Sequence, residues 1–157
     1  MNDEFISIES HYNPSPHRQR RFTVECFTAR ILTTVTSTPS VVRSWIYKIR
    51  YFHRFRCHKL VVGLGVQWRP SFTAGVSSPP ATLQLCVERR CLIFQLLHAL
   101  SVLVYLRRFL FDPLITFVGV RNHNNEALLR RSKHSLSLST LDSLLLTLDM
   151  SPRREGG

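Results

Sequence analysis

The chain predicts an α/β domain built on a mixed β-sheet flanked by helices, and three observations carry that prediction. Leu60-Val61-Val62-Gly63-Leu64-Gly65-Val66-Gln67-Trp68 is an apolar run of strand length, as expected of a central strand with both faces covered. Runs rich in β-branched and aromatic residues lie on both sides of it, with segments of helical periodicity between them. With 157 residues, 44% of them hydrophobic and including ten Phe and two Trp, the chain has enough apolar material for one domain with a real core.

The elements follow in order. Residues 1 to 19 contain Asn13-Pro14-Ser15-Pro16 and lead into the basic run His17-Arg18-Gln19-Arg20-Arg21, so a flexible basic leader is expected. Residues 21 to 29 and 30 to 36 read as a pair of strands. Thr38 offers an N-cap and Pro39 the first helical position, and Val41, Val42, Trp45, Ile46, Ile49 and Phe52 recur at helical spacing with Arg43, Arg50 and Arg54 opposite. The central strand spans residues 59 to 68, followed by a loop over 69 to 80 marked by Gly75 and Ser77-Ser78-Pro79-Pro80. Two strands come next, then a helix over about residues 101 to 110 that Asp112-Pro113 ends. Residues 114 to 120 read as a strand and 124 to 131 as a short helix. In the tail, Ser135-Leu136-Ser137-Leu138-Ser139 alternates like a strand, whereas Leu141, Leu144, Leu145 and Leu148 have helix spacing.

Charge narrows the partners. A net charge of +11 and an isoelectric point near 10.6 are unusual for an enzyme of neutral metabolites and favour a polyanion. The four cysteines, Cys26, Cys57, Cys86 and Cys91, form no Cys-x-x-Cys pair and no zinc-finger spacing, so free thiols in a reducing compartment are expected. The acidic start Met1-Asn2-Asp3-Glu4 lacks the features of a secretory signal, which predicts the nucleus or cytoplasm. The apolar stretch from residue 91 to 106 is interrupted by Gln95, His98 and Ser101 and is shorter than the roughly 20 residues a bilayer needs. A buried strand and a helix fit it better, and no membrane association is expected. The seven histidines form no paired-ligand motif, there is no Gly-Lys-Ser/Thr, and Ser77 and Ser135 have no nucleophile-elbow context.

Four segments, in order, carry a resemblance. They are Leu60-Val61-Val62-Gly63-Leu64-Gly65-Val66-Gln67-Trp68-Arg69-Pro70, Ala81-Thr82-Leu83-Gln84-Leu85-Cys86-Val87, Arg90-Cys91-Leu92-Ile93-Phe94-Gln95-Leu96-Leu97-His98 and Phe117-Val118-Gly119-Val120. Together they resemble the opening motif and the next three strands of the plant Werner syndrome-like 3′-5′ exonucleases, of the DEDD superfamily. Phe22-Thr23-Val24, Thr33-Thr34-Val35-Thr36 and Val41-Val42-Arg43-Ser44-Trp45-Ile46 resemble the lead-in of its plant members. The likeness covers residues 20 to 135 and implies an RNase H-like fold, C-terminally truncated, with a divergent Leu/Ser-rich tail over 136 to 157.

The resemblance also implies a chemistry. In that family four acids hold two divalent cations about 4 Å apart, one activating water and the other stabilising the departing oxygen. The first motif supplies an Asp-x-Glu pair from one strand, since residues two apart share a face. Here the corresponding positions hold Gly65 and Gln67. A carboxylate roughly 2.1 Å from a divalent ion contributes on the order of 15 kcal/mol at an effective dielectric of about 20, before desolvation. An amide oxygen offers only a dipole, and glycine nothing. Between Glu25 and Glu88 there is no Asp or Glu. In the second motif the family acid corresponds to Asn125, with Glu126 beside it. One residue turns a helical side chain by about 100°, so Glu126 serves as a surrogate only after a register shift. Asp142 and Asp149 in the tail are more remote substitutes.

The expectation is therefore a nucleic-acid-binding protein with an impaired exonuclease-like domain and no resident metal. Lys48, Arg50, Arg54, Arg56 and Lys59 are the first candidate phosphate-binding residues, in a run that also carries Tyr47, Tyr51, Phe52 and Phe55. Helical periodicity assigns Trp45, Ile49 and Phe52 to the core instead. By the resemblance, Arg69, Arg121, Arg130 and Arg131 fall near the family's groove. The expected ligand is single-stranded DNA or RNA. The alternatives are an active exonuclease using Mg2+ or Mn2+, and an interaction fragment that pairs with itself or a paralogue across exposed sheet edges.

Overall fold

The computed structural model describes residues 6–56, 59–68, 80–119 and 130. Among the described residues, seven strands and two α-helices follow one another as β1 (Ile6–His11), β2 (Arg20–Cys26), β3 (Ala29–Thr36), α1 (Pro39–Phe52), β4 (Val61–Trp68), β5 (Pro80–Val87), β6 (Arg90–Gln95), α2 (Val104–Leu110) and β7 (Thr116–Val118). The strands form one mixed sheet in the order β1-β2-β3-β6-β5-β4-β7. β3 pairs with β6, and β4 with β7, in parallel, and the remaining neighbours are antiparallel. The expected mixed α/β architecture is the observed one.

Local chemistry explains the joints. The hairpins β2–β3 and β5–β6 each turn over two residues, and the first of these, Phe27 (φ 54°) and Glu88 (φ 52°), takes the left-handed backbone that tight hairpin turns require. At the start of α1, Thr38 is extended and Pro39 takes the first helical position. The buried Thr36 hydroxyl accepts from the Thr38 N–H at 3.0 Å and donates to the Arg18 carbonyl, which fixes the entry into the helix. α2 starts later than the periodicity predicts. A single 3₁₀ turn, Leu96–His98, and the buried Ala99 take up the preceding chain. After α2, Asp112 accepts from the Leu114 N–H at 2.9 Å, a local turn that stops the helix ahead of Pro113.

Strand alternation separates the two faces of the sheet. Val62, Leu64 and Val66 of β4, Leu83, Leu85 and Val87 of β5, and Leu92 and Phe94 of β6 are buried in one cluster with Val42, Trp45, Ile46 and Ile49 of α1 and Leu106, Phe109 and Leu110 of α2. Among the described residues, both α-helices cover this face. The intervening residues of β4 lie on the other face: Val61 is exposed, Gly63 and Gly65 are half-buried and Gln67 is exposed. The continuous apolar character of β4 predicts cover on both sides, and the described residues cover one.

Two further expectations change. Residues 6–11, placed by sequence in a flexible leader, are the edge strand β1, paired with β2 from Ile6↔Cys26 to His11↔Arg21. Phe52, placed in the core, is 52% exposed, with its ring beneath the Arg90 guanidinium at 4.4 Å. It sits in the last turn of α1, past the residues that meet the sheet. No helix of the described residues is long and apolar enough to cross a membrane. Of the expected loop over 69 to 80, Pro80 opens β5 and the rest lies outside the described residues, as do the expected helix over 124 to 131, apart from the helical Arg130, and the tail.

Candidate functional site

Gly65 and Gln67 lie side by side in the ladder on the face away from the helices. Across the strands, Gly65 stands opposite Gln84, which stands opposite Ile93. Gln67 is opposite Thr82, itself opposite Gln95. A Cβ on Gly65 would lie 3.0 Å from the Gln84 side-chain oxygen, so an amide reaches over the space in front of Gly65. This surface is polar and neutral. It can donate and accept hydrogen bonds, and among the described residues it offers no anionic ligand.

The described acids are elsewhere. Glu25 pairs with Arg30 at 2.6 Å, and that contact raises the Arg30 pKa, chiefly through the hydrogen bond. Glu9 is on edge strand β1, and Asp112 pairs with Arg50 at 3.2 Å at the end of α2. Glu88 sits in the β5–β6 turn, four residues from Gln84 and so about 13 Å along the strand. Among the described residues no three His, Cys, Asp or Glu side chains come together as a metal cluster. The donor set on β4 and β5 does not fit a pair of hard divalent cations, which take carboxylate and water oxygens. Asn125 and Glu126 lie outside the described residues.

One row further along, Gly63 is opposite Cys86, and Cys86 is bonded to Cys91 in a disulfide. This corrects the expectation of free thiols, and among the described cysteines only Cys26 is free. The hairpin accounts for the difference. Val87 and Arg90 close a two-residue turn, so Cys86 and Cys91 form the next, non-hydrogen-bonded pair, whose α-carbons approach most closely. Their separation is 4.1 Å.

The basic run falls in a different place. Lys48 and Arg50 are on α1, which packs on the face opposite Gly65. Arg54, Arg56 and Lys59, all exposed, follow α1 and precede β4. Gln67 is six residues beyond Val61, or about 20 Å along the strand. The structure therefore separates this run from the first-motif positions by both face and end of the sheet. Several of its cations already have internal partners. Arg50 pairs with Asp112 and lies 5.4 Å from the Phe109 ring. Arg54 covers the Tyr51 and Phe55 rings at 4.2 and 4.6 Å and donates to the Tyr51 carbonyl. Just upstream of the run, Arg43 lies over both the Tyr47 and Tyr105 rings, 5.9 and 5.2 Å from their centroids, and the two phenol hydroxyls are 3.0 Å apart. The Tyr47 phenol is pushed above its usual range, mainly by that hydrogen bond and against the pull of Arg43. Arg130 is exposed, whereas Arg69, Arg121 and Arg131 lie outside the described residues.

No protein-family model matches the sequence. No curated protein matches it either. Among solved structures, the EXD2 exonuclease domain superposes with a TM-score of 0.59 at 19% identity, over 70% of this chain and 56% of that one. The fold is RNase H-like. The same domain soaked in Mn and GMP gives a TM-score of 0.56 at 19% identity, and soaked in Mg gives 0.58 at 18%, each over 70% of this chain and 55% of the other. The chain thus spans about half the length of the structures it matches.

Proposed function

We propose that the chain is a nucleic-acid-binding protein with a 3′-5′ exonuclease-like domain of the plant Werner syndrome-like kind, impaired in metal-dependent hydrolysis. The observation that carries this reading is the replacement of charge by neutral amide at one place: Gly65, Gln67 and Gln84 on a sheet of exonuclease type. The net charge of +11 supports retained attraction to phosphates. The nuclear or cytoplasmic setting expected from the sequence is part of the same reading.

The test combines binding with cleavage. Single-stranded DNA and RNA should bind with an affinity that falls steeply with salt, and Mg2+ or Mn2+ should produce no trimming of 3′ ends. The Gly65→Asp/Gln67→Glu variant, run alongside, shows whether two acids are enough to bring activity back. Metal-dependent trimming by the natural chain would overturn the impaired reading.

A second reading is favoured by the Mg and Mn soaks of the EXD2 domain. On that reading the protein is an active exonuclease whose acids come from outside the described residues. Loss of natural trimming activity in Glu126→Gln would support it. A third reading, pairing with another copy or a paralogue, draws on edge strand β1, where Ile6 and Ile8 are 58% and 68% exposed. Its measurement is mass in solution.

A further inference from the structure

Away from the Gly65 face, a cleft of about 500 Å³ opens between the first half of α1 and strands β2 and β3. Its volume is in the range of ordinary ligand sites, about 300–1,000 Å³. Among the described residues, Arg18, Arg21, Lys48 and Arg90 line it, and no carboxylate does. These four residues come from the approach to β2, from β2 itself, from α1 and from β6, so only the tertiary fold assembles them. Ser40 and Ser44 precede Lys48 at intervals of four on α1, which sets two hydroxyls and an ammonium in one line along the cleft wall.

The cations differ in how they are held. Arg18 donates to the Ser40 hydroxyl at 3.1 Å, and Arg90 rests on the Phe52 ring. Arg21 and Lys48 are exposed and have no carboxylate partner among the described residues. The two ion pairs among those residues, Arg30–Glu25 and Arg50–Asp112, are both elsewhere. Glu9 is the acid lining the neighbouring hollow, where Arg30, Arg89 and Arg90 outnumber it. Like charges brought together around a concavity repel one another and focus a positive potential into it. An anion relieves that repulsion, and serine hydroxyls and guanidinium groups are donors suited to phosphate oxygens.

We infer that this cleft seats phosphate groups of a single nucleic-acid strand, held by Arg18, Arg21, Lys48 and Arg90. Phe52 lies one helical turn beyond Lys48, half-exposed and flanked by Arg90, where an unpaired base could stack. The inference rests on the nucleic-acid reading above and gives it a location. It moves the binding surface from the Arg50 flank of α1, where the guanidinium is already paired, to the opposite flank.

Fluorescence anisotropy with a labelled single-stranded oligonucleotide over a salt series tests it. Replacing Arg21 and Lys48 together with Ala should lower the slope of log affinity against log salt by about 1.4, at roughly 0.7 for each phosphate no longer neutralised. Lys48→Arg, which keeps the charge, should retain the slope. Arg108→Ala, an exposed cation on α2, should shift it much less. Circular dichroism of the double variant separates failure to bind from failure to fold, and Arg21→Gln/Lys48→Gln supplies a second pair with longer side chains. Strand binding by the natural protein that survives both pairs unchanged would overturn the cleft and leave the nucleic-acid reading standing. If no strand binds but pyrophosphate raises the melting temperature of the natural protein and not of the double variant, the cleft stands and the nucleic-acid reading falls.

Discussion

The two faces of the central strands obey different rules. On the helix side, Val62, Leu64, Val66, Leu83, Leu85, Leu92 and Phe94 are almost fully buried, in one cluster with residues of both helices. On the far side, the same strands carry Gly63, Gly65, Gln67, Thr82, Gln84 and the Cys86–Cys91 pair, none of them buried. Because alternate residues of a strand point in opposite directions, substitutions on one face leave the other untouched. The outward positions of such a sheet can therefore be glycine, glutamine or an acid without loss of the architecture. Packing specifies the fold, and a few outward positions specify the chemistry.

The largest break in that comparison should come from Phe94→Ala. Phe94 is completely buried, and truncating a buried Phe typically costs about 3–5 kcal/mol through lost transfer energy and the cavity left behind. Its sequence neighbour on the other face, Ile93, is only half-buried, so Ile93→Ala should cost less. Urea denaturation of both variants measures the difference. Equal losses would mean that the outward face is packed as tightly as the core.

Cys86→Ser/Cys91→Ser ranks next. The bond closes a loop of six residues, for which chain entropy gives a stabilisation of about 2 kcal/mol. Adding a reductant to the natural protein should reproduce most of that loss, and thiol titration should then count two more free groups. A melting temperature indifferent to reductant would show that the hairpin is held by its ladder alone. Arg50→Ala should cost about 1 kcal/mol, since the pair with Asp112 is half-exposed and screened. It should leave the salt slope for strand binding almost unchanged, which sharpens the contrast with the Lys48 flank.

Much of this molecule is legible from sequence because the legible parts are local. Pro39 after Thr38, the spacing of Val42, Trp45, Ile46 and Ile49, and Asp112-Pro113 after α2 each act over a few residues. β1 escapes a sequence reading although Ile6-Ser7-Ile8 alternates, because the proline and basic residues that follow outweigh two isoleucines. The disulfide escapes it because metal and redox spacings are the wrong pattern to look for. Cys86 and Cys91 are equidistant from a two-residue turn, which is the signal that finds them. Phe52 keeps helical spacing in a turn that has already left the sheet. The cleft cannot be read at all. Arg18, Arg21, Lys48 and Arg90 are spread over more than seventy positions, and their meeting depends on the parallel pairing of β3 with β6.

The smallest effect tests the outward face most directly. A glycine inside a strand costs roughly 0.5–1 kcal/mol relative to alanine because it orders a freer backbone. At Gly65 the added methyl would meet the end of the Gln84 side chain at 3.0 Å, with the Gln84 Cβ at an ordinary 3.5 Å. Gln84 is half-buried, on the face away from the helices, so its amide can swing aside. Gly65→Ala should accordingly stabilise the protein by about 0.5 kcal/mol, and Gly65→Ala/Gln84→Ala should add little further. Destabilisation by the single change, relieved in the double, would mean that Gln84 is fixed over Gly65. The neutral site would then be an ordered structure in its own right, and placing Asp at position 65 would require Gln84 to be replaced as well.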